Sequence, residues 1–373
     1  MGKIGFTRND YPTVGIELEL GLVDAKTMAL SSAYDRVSTA LDDSVQGVKH
    51  ELMQCVLEIN TGVCETIDEA GADLEHKIRS VEAACDACDV RLWWGASHPF
   101  SLCLDQQVTE NERYLGLVQL LQDMARRLIT FGMHVHVGVD SGDKAVMICD
   151  RLMRHLPTLL AMSTSSPFWE GRVTGLQSYR SKVMEGLPTA GLPTLMRNWS
   201  EYVWLVNHMV DTGFINTIRE LWWDVRPHHN FGTVEVRVYD MPGNLEHALA
   251  LAAMTQSLVQ SLSDEIDHGT YQHDCHPMMV RQNKWRAARY GVDAELVDSF
   301  TYLPRPVSTA VKQLTNVLMP TAKRLNCDHW LAKCEQLARA QSCANKQLAI
   351  FEEAGDLVEV VRRLTAESRI SEK

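Results

Sequence analysis

The sequence predicts an α+β fold in one domain over residues 1–373, with a sheet-bearing core at about residues 12–291 and a mainly helical region at about residues 292–373. Three observations carry that prediction. Short segments with period-two alternation or β-branched enrichment recur at Val14 to Val23, Cys55 to Thr61, Val90 to Gly95, Gly132 to Val139 and Gly232 to Tyr239. Stretches of helical periodicity lie between them, and beyond about residue 279 the chain reads as helical with short breaks. No Pro/Gly/Ser-rich linker or low-complexity stretch divides the 373 residues, and no internal repeat is visible.

The helices have recognisable starts. Thr66-Ile67-Asp68-Glu69 has the capping-box pattern and opens a run with Ile67, Ala70, Leu74, Ile78 and Val81 on one face. Thr109-Glu110-Asn111-Glu112 repeats the pattern ahead of a stripe of Tyr114, Leu117, Leu121, Met124 and Leu128. Further helices are expected at about residues 143–163, 194–211 and 244–262, and from Ala310 to Leu325.

Composition excludes several classes of function. A formal net charge of −12 argues against a nucleic-acid partner, because a phosphate backbone is held mainly by Lys and Arg. A nucleotide remains compatible with an acidic site when divalent cations stand between carboxylates and phosphates. No apolar run approaches a membrane span, and Met1-Gly2-Lys3-Ile4-Gly5-Phe6 lacks the apolar core of a signal peptide, so a cytoplasmic protein with reduced thiols is expected. The ten cysteines show no repeated spacing, and the lone Cys85/Cys88 pair lies inside a helical pattern, where a packed helix accounts for it better than a redox or zinc site.

The informative feature is what alternates with the apolar residues of the strands. Glu17 and Glu19 share one face of Gly15-Ile16-Glu17-Leu18-Glu19-Leu20; Glu58 and Asn60, His134 and His136, and Glu235 and Arg237 are placed likewise. For any single strand, a solvated face of an amphipathic antiparallel sheet gives the same alternation. Solvated faces, however, usually carry Lys, Thr and Ser, whereas these carry Glu, His and Arg, and Gly21, Gly138 and Gly232 flank the same segments. If the strands share a sheet, the polar faces line one acidic cavity that needs compensating charge. Carboxylates with imidazole suit Mg²⁺ or Mn²⁺; the His134/His136 pair alone would also suit zinc, but the proposed neighbours are glutamates and no strand cysteine accompanies them. The pair His228-His229 beside the Gly232 strand, and the group His273-Asp274-Cys275-His276 in a loop-like segment, are weaker metal candidates.

Gly15-Ile16-Glu17-Leu18-Glu19, Asn111-Glu112-Arg113-Tyr114, Gly132-Met133-His134-Val135-His136-Val137-Gly138 and Phe231-Gly232-Thr233-Val234-Glu235-Val236-Arg237-Val238 together resemble the glutamate-cysteine ligase type 2 family, in particular its YbdK-type carboxylate-amine ligase branch. Gly95-Ala96-Ser97-His98-Pro99-Phe100, Trp223-Asp224-Val225-Arg226-Pro227 and the segment from Asn283 to Gly291 extend the likeness in the expected order. The resemblance implies a glutamine-synthetase-like catalytic fold, a curved and mainly antiparallel sheet forming a funnel with helices on its outer face. It implies ATP and Mg²⁺ or Mn²⁺ as cofactors, glutamate or a similar amino acid and cysteine or another amine as substrates, and an amide formed through γ-glutamyl phosphate. Glu17, Glu51 and Glu58 then match the ligands of one metal and Glu19, His136 and Glu235 those of a second, with Glu51 standing where relatives often have Asp.

Arg237 matches the cation facing the transferred phosphoryl group, so that Arg237, Glu235 and Glu19 form the catalytic set. Arg180, beside Tyr179, matches a substrate-carboxylate clamp, and Arg226, Arg286 and Arg289 match phosphate or carboxylate contacts, although structural salt bridges would use the same residues. A homodimer through exposed sheet edges is expected. Two competing functions remain at this point: a metal-dependent amide hydrolase built on His134, His136 and the glutamates, and a nucleotide-binding relative without catalysis.

Overall fold

The computed structural model describes residues 4–270 and 276–370. Strands form where alternation predicts them, with some short additions: β1 Val14–Asp24, β2 Val48–His50, β3 Val56–Asn60, β4 Val90–Trp93, β5 Gly132–Gly138, β6 Phe168–Trp169, β7 Arg172–Val173, β8 Val225–His228, β9 Thr233–Asp240, β10 Glu295–Val297 and β11 Pro304–Pro306. One seven-stranded antiparallel sheet runs β2-β3-β1-β5-β9-β8, with β4 also paired to β1. The mixed helix and antiparallel-sheet class expected from the sequence is therefore present.

β1 organises the sheet because it is long enough to be flanked by β3 and β5 at once, with β4 pairing its last residues. Its Ile16, Leu18, Leu20 and Leu22 are buried in the core, which period-two geometry requires if Glu17 and Glu19 face the other way. Helices cover the apolar side. Leu245–Asp267 is buried along most of its length and packs against β5 and against Ile67–Ala87. The latter starts at Thr66, whose side chain accepts from the Glu69 N–H, while the Glu69 carboxylate accepts from the N–H of Glu65. The C-terminal region is the helical array Val307–Arg324, Asp328–Leu337, Cys343–Ala354 and Leu357–Ser368.

Several boundaries differ from the sequence-based expectation for local reasons. The stretch expected as one helix over 143–163 is two, Gly142–Leu152 and Leu156–Ser163, with Pro157 in the first turn of the second. Asn111, not Thr109, caps the helix Glu112–Leu121: its side chain accepts from the Arg113 N–H, while the Thr109 hydroxyl donates to the carbonyl of Glu51. The hairpin of β10 and β11 interrupts the region beyond about residue 279 expected to be helical with short breaks. Cys85 is a buried core residue whose thiol burial pushes up to about 12, and neither it nor Cys88 is bonded to another sulfur. Of the His273-Asp274-Cys275-His276 group, the first three lie outside the described residues; His276 caps the helix Pro277–Tyr290.

His98 supplies a stability prediction. It is 3% exposed, its Nδ1 accepts from the Ser101 N–H at 3.0 Å, and its Nε2 lies 2.9 Å from the Met28 carbonyl, so the neutral imidazole is fully paired. Burial pushes its pKa down to about 3. A group whose folded pKa is depressed contributes stability above its unfolded pKa of about 6.5 and loses it as pH falls from there toward the folded value. Between pH 7 and pH 5 the wild-type protein is expected to lose roughly 2 kcal/mol through this residue, read as a urea midpoint whose pH slope flattens in His98→Gln.

Candidate active site

The polar face of the sheet forms the floor of a cavity of about 600 Å³. Register explains which side chains meet there. On the β3 side of β1, Glu19 stands opposite Glu58; on the β5 side, Glu17 stands opposite His134; one strand further, His136 stands opposite Glu235, and Arg226 of β8 stands opposite Glu235 in turn. The β5–β9 register shifts between Met133 and Val135, so Arg237 reaches back to place Nη1 3.3 Å from His134 Nδ1.

The carboxylates fall into two groups. Glu17, His136 and Glu235 each offer a donor atom within 4.8 Å of the others. Both oxygens of Glu235 are held by Arg226, through Nε at 2.7 Å and Nη2 at 3.3 Å, and Arg237 also donates to it. Burial alone pushes the Glu235 carboxyl up, and the charges of Arg226, Arg237 and His136 outweigh it, leaving the group well below the usual carboxylate range. Glu17 is likewise held well below that range, with contacts to His134 and His136 overcoming burial. His136 is raised above its ordinary value: burial lowers it, and the Glu235 and Glu17 carboxylates more than compensate.

The second group is Glu19, Glu51 and Glu58. Burial and the charges of Glu58 and Glu19 push Glu51 well above the ordinary carboxylate value, and burial with the charge of Glu17, then of Glu19, raises Glu58. Lys49 is 3.9 Å from Glu58, and the Asn60 amide donates to Glu58 at 2.7 Å. Glu51 belongs to no strand; its backbone is fixed by Thr109 through the 2.6 Å hydrogen bond to its carbonyl. The resemblance implied Glu17 with Glu51 and Glu58, and Glu19 with His136 and Glu235. In the structure Glu17 lies within reach of His136 and Glu235, while Glu19 stands across from Glu58 and also faces His134 Nε2 at 3.7 Å.

The donor chemistry fits hard divalent cations. The Nε2 atoms of both His134 and His136 are buried without a hydrogen-bond partner. His134 Nδ1 lies 3.0 Å from Glu17 and 3.3 Å from Arg237 Nη1, and its Nε2 faces Glu19 at 3.7 Å. His136 Nε2 lies 3.4 Å from Glu17 and 3.9 Å from Glu235. Imidazole nitrogens buried without a hydrogen-bond partner and set among carboxylates suit a cation between them.

The arginines separate clearly. Arg180 lines the cavity; it is 5% exposed, and its Nε has no hydrogen-bond partner. Its guanidinium crosses β5 at Gly132, where a Cβ would lie 2.2 Å from Nη2. Arg226 and Arg237 also line the cavity, whereas Tyr179, Arg286 and Arg289 do not. Tyr179 packs on Trp169, with ring centroids 5.2 Å apart; Arg286 donates to the Glu295 carbonyl at 3.0 Å, and Arg289 stacks on Tyr290. The helix of Arg286 and Arg289 instead turns Lys284 inward, where it is bonded to Asp224 and Glu185. His228 and His229 line the cavity mouth, and burial pushes His228 down to about 4.

Asp240 was not singled out from sequence. It is fully buried, accepts from Ser165 N, Ser166 Oγ and Ser178 Oγ, and so fixes the loops from which Arg180 rises. Its only sequence signal was an acid at the buried end of β9.

The fold is shared with solved ligases. The Francisella tularensis glutamate–cysteine ligase, solved in complex with AMP, superposes with a TM-score of 0.71 at 13% identity over 98% of this chain and 90% of that one. A bifunctional glutathione synthetase from Pasteurella multocida superposes at 0.69 with 14% identity, over 96% of this chain and 52% of that one. Sequence relationship sets the class, an ATP-dependent carboxylate–amine ligase. The chain belongs to glutamate-cysteine ligase family 2, whose model matches residues 13–364. Among its relatives are a provisionally named glutamate–cysteine ligase 2-1 of Frankia casuarinae, 39% identical over 371 residues (98% of this chain, 97% of the relative), and a provisionally named glutamate–cysteine ligase 2 of Gloeobacter violaceus, 36% identical over 366 residues (97% and 98%).

Proposed function

We propose that the chain joins the γ-carboxylate of glutamate to an amine, with cysteine the first acceptor to test, while ATP is converted to ADP and phosphate. The observation that carries this is the cavity itself: clustered carboxylates, two imidazole nitrogens without a hydrogen-bond partner and two arginines on one sheet face. Glu17, His136 and Glu235 would hold one Mg²⁺ or Mn²⁺, and Glu19, Glu51 and Glu58 a second. Bound there, such cations supply positive charge for phosphate oxygens and relieve the repulsion among the carboxylates.

The remaining roles belong to the chain's own side chains. A carboxylate is a poor electrophile, so its oxygen first attacks the γ-phosphorus of ATP, releasing ADP and leaving γ-glutamyl phosphate. Arg237 faces that transfer and stabilises charge on the phosphoryl oxygens, while Arg226 holds Glu235 and keeps it ionised. Arg180, with its unpaired Nε, clamps a substrate carboxylate at the opposite side of the cavity. The amine then attacks the acyl carbon, phosphate leaves, and an amide remains. Tyr179, Arg286 and Arg289 have no part in this scheme.

The whole chain is taken as one catalytic unit, assembled as a homodimer in the cytoplasm. No described helix is long and apolar enough to cross a membrane, and β2 and β8 end the main sheet, which is where a second copy would pair. Light scattering at twice the 42.0 kDa chain mass tests the dimer.

The test of the chemistry is direct. Purified protein with Mg²⁺, ATP, glutamate and a panel of amines is expected to release ADP and form one amide per ADP. Amide cleavage without nucleotide would identify a hydrolase instead, and a folded protein that turns over no amine would count against ligation.

A further inference from the structure

Phe231 is 58% exposed, unusual for a large aromatic at the lip of a polar cavity, yet it is firmly held. Its ring stacks on His228 with centroids 4.2 Å apart and planes 17° from parallel. Both rings meet His136 edge-on, at 5.6 Å from Phe231 and 5.4 Å from His228. The turn that carries them is clamped by the N-terminal segment. Asn9 Nδ2 donates to the carbonyls of Phe231 at 2.7 Å and Gly232 at 2.8 Å, and Thr7 N donates to the His229 carbonyl at 2.9 Å. Gly232 adopts φ +66°, and a Cβ there would lie 1.9 Å from the Thr7 carbonyl oxygen, so the strap and the turn touch backbone to backbone. A rigid turn is therefore holding one aromatic face outward at the entrance.

We propose that Phe231, backed by His228 and positioned by Asn9, is the stacking platform for the purine base of the nucleotide. The proposal rests on the ligase function above for its ligand and adds where and how the base is held. A nucleotide is a planar ring joined to a chain of anionic charge, and this end of the cavity sets an exposed aromatic ring beside His136 and two arginines. The aromatic pair stands one ring from His136, and beyond His136 lie Glu17 and Glu235 with the cations Arg226 and Arg237. A base on Phe231 thus points its phosphates toward the group that needs a divalent cation and toward the two arginines. The other side of the cavity, with Glu51, Glu58, Tyr114 and Arg180, offers carboxylates and one clamp for a carboxylate, a better match for the amino acid. Stacking selects a flat ring without reading its edge, so the platform gives affinity for purine nucleotides more than discrimination among them.

Calorimetric titration of the full chain with a non-hydrolysable ATP analogue in the presence of Mg²⁺ tests the platform without requiring turnover. Phe231→Ala is expected to weaken binding roughly tenfold, the effect of removing one base-stacking contact, whereas Phe231→Trp keeps it within about twofold. Asn9→Ala, acting through the turn, is expected to weaken binding severalfold with the aromatic rings intact. Glutamate affinity, titrated separately, stays unchanged in all three. Analogue affinity unchanged in Phe231→Ala, or a loss that falls on glutamate instead, overturns the proposal. Phe231-dependent binding without amide formation by the wild-type chain would leave the platform standing and reject the ligase chemistry.

Discussion

Replacing Arg237 by alanine is expected to lower ADP release by roughly 10³-fold while the protein stays folded, because a cation aimed at a transferring phosphoryl group acts mainly in the transition state. The geometry allows this separation of rate from stability. Glu235 is buried at 1% exposure and would be destabilising if left alone, but Arg226 grips it through two nitrogens whether or not Arg237 is present. Arg226→Ala should behave differently. It removes the two-point partner of a buried carboxylate together with a hydrogen bond to the Leu221 carbonyl, and is expected to cost about 3 kcal/mol of stability in addition to activity. Thermal unfolding and single-turnover ADP release, measured on both variants, separate the two roles. An Arg237→Ala enzyme with wild-type turnover would remove Arg237 from the chemistry, and Arg237→Lys with substantial recovery would show that charge matters more than the guanidinium fork.

How much of this site could be read before folding depends on which physical rule placed each residue. Period-two alternation is a strict property of strands, so Glu17, Glu19, His134, His136, Glu235 and Arg237 could be set on polar faces from sequence. Alternation does not say which neighbouring strand a residue meets. Glu17 and Glu19 look equivalent in Glu17-Leu18-Glu19, yet Glu19 stands opposite Glu58 of β3 and Glu17 opposite His134 of β5, within reach of His136 and Glu235. Glu51 sits off the strands and is held through Thr109, a residue whose spacing to Glu112 read as a helix cap; the hydroxyl serves another backbone instead. Arg286 and Arg289 were in a motif whose helix lines none of the cavity and whose buried cation is Lys284. One-dimensional spacing could not tell which of these cations the helix turns inward. Asp240 and Phe231 were invisible as functional candidates for opposite reasons, one fully buried and one exposed, and only the assembled sheet shows what each faces.

The proposed grouping of Glu17 with His136 and Glu235 leads to the second large effect, which concerns divalent-cation dependence. Glu17→Gln and His136→Gln are each expected to raise the Mg²⁺ concentration needed for half-maximal ADP release by at least roughly tenfold, since each removes a donor from one small oxygen-and-nitrogen group. Residues that share one ion are coupled, so the double variant should lose much less than the sum of the single losses in free energy. If Glu58 serves the other ion, as proposed, Glu17→Gln combined with Glu58→Gln should be closer to additive than Glu17→Gln combined with His136→Gln. Glu19→Gln provides the reciprocal cycle: strong coupling to Glu58→Gln across the β1–β3 pair, weaker coupling to His136→Gln. The opposite pattern would restore the grouping implied by family resemblance. Equal coupling in every pair would mean that the cavity behaves as one delocalised field of charge, with no residue belonging to one ion more than to the other.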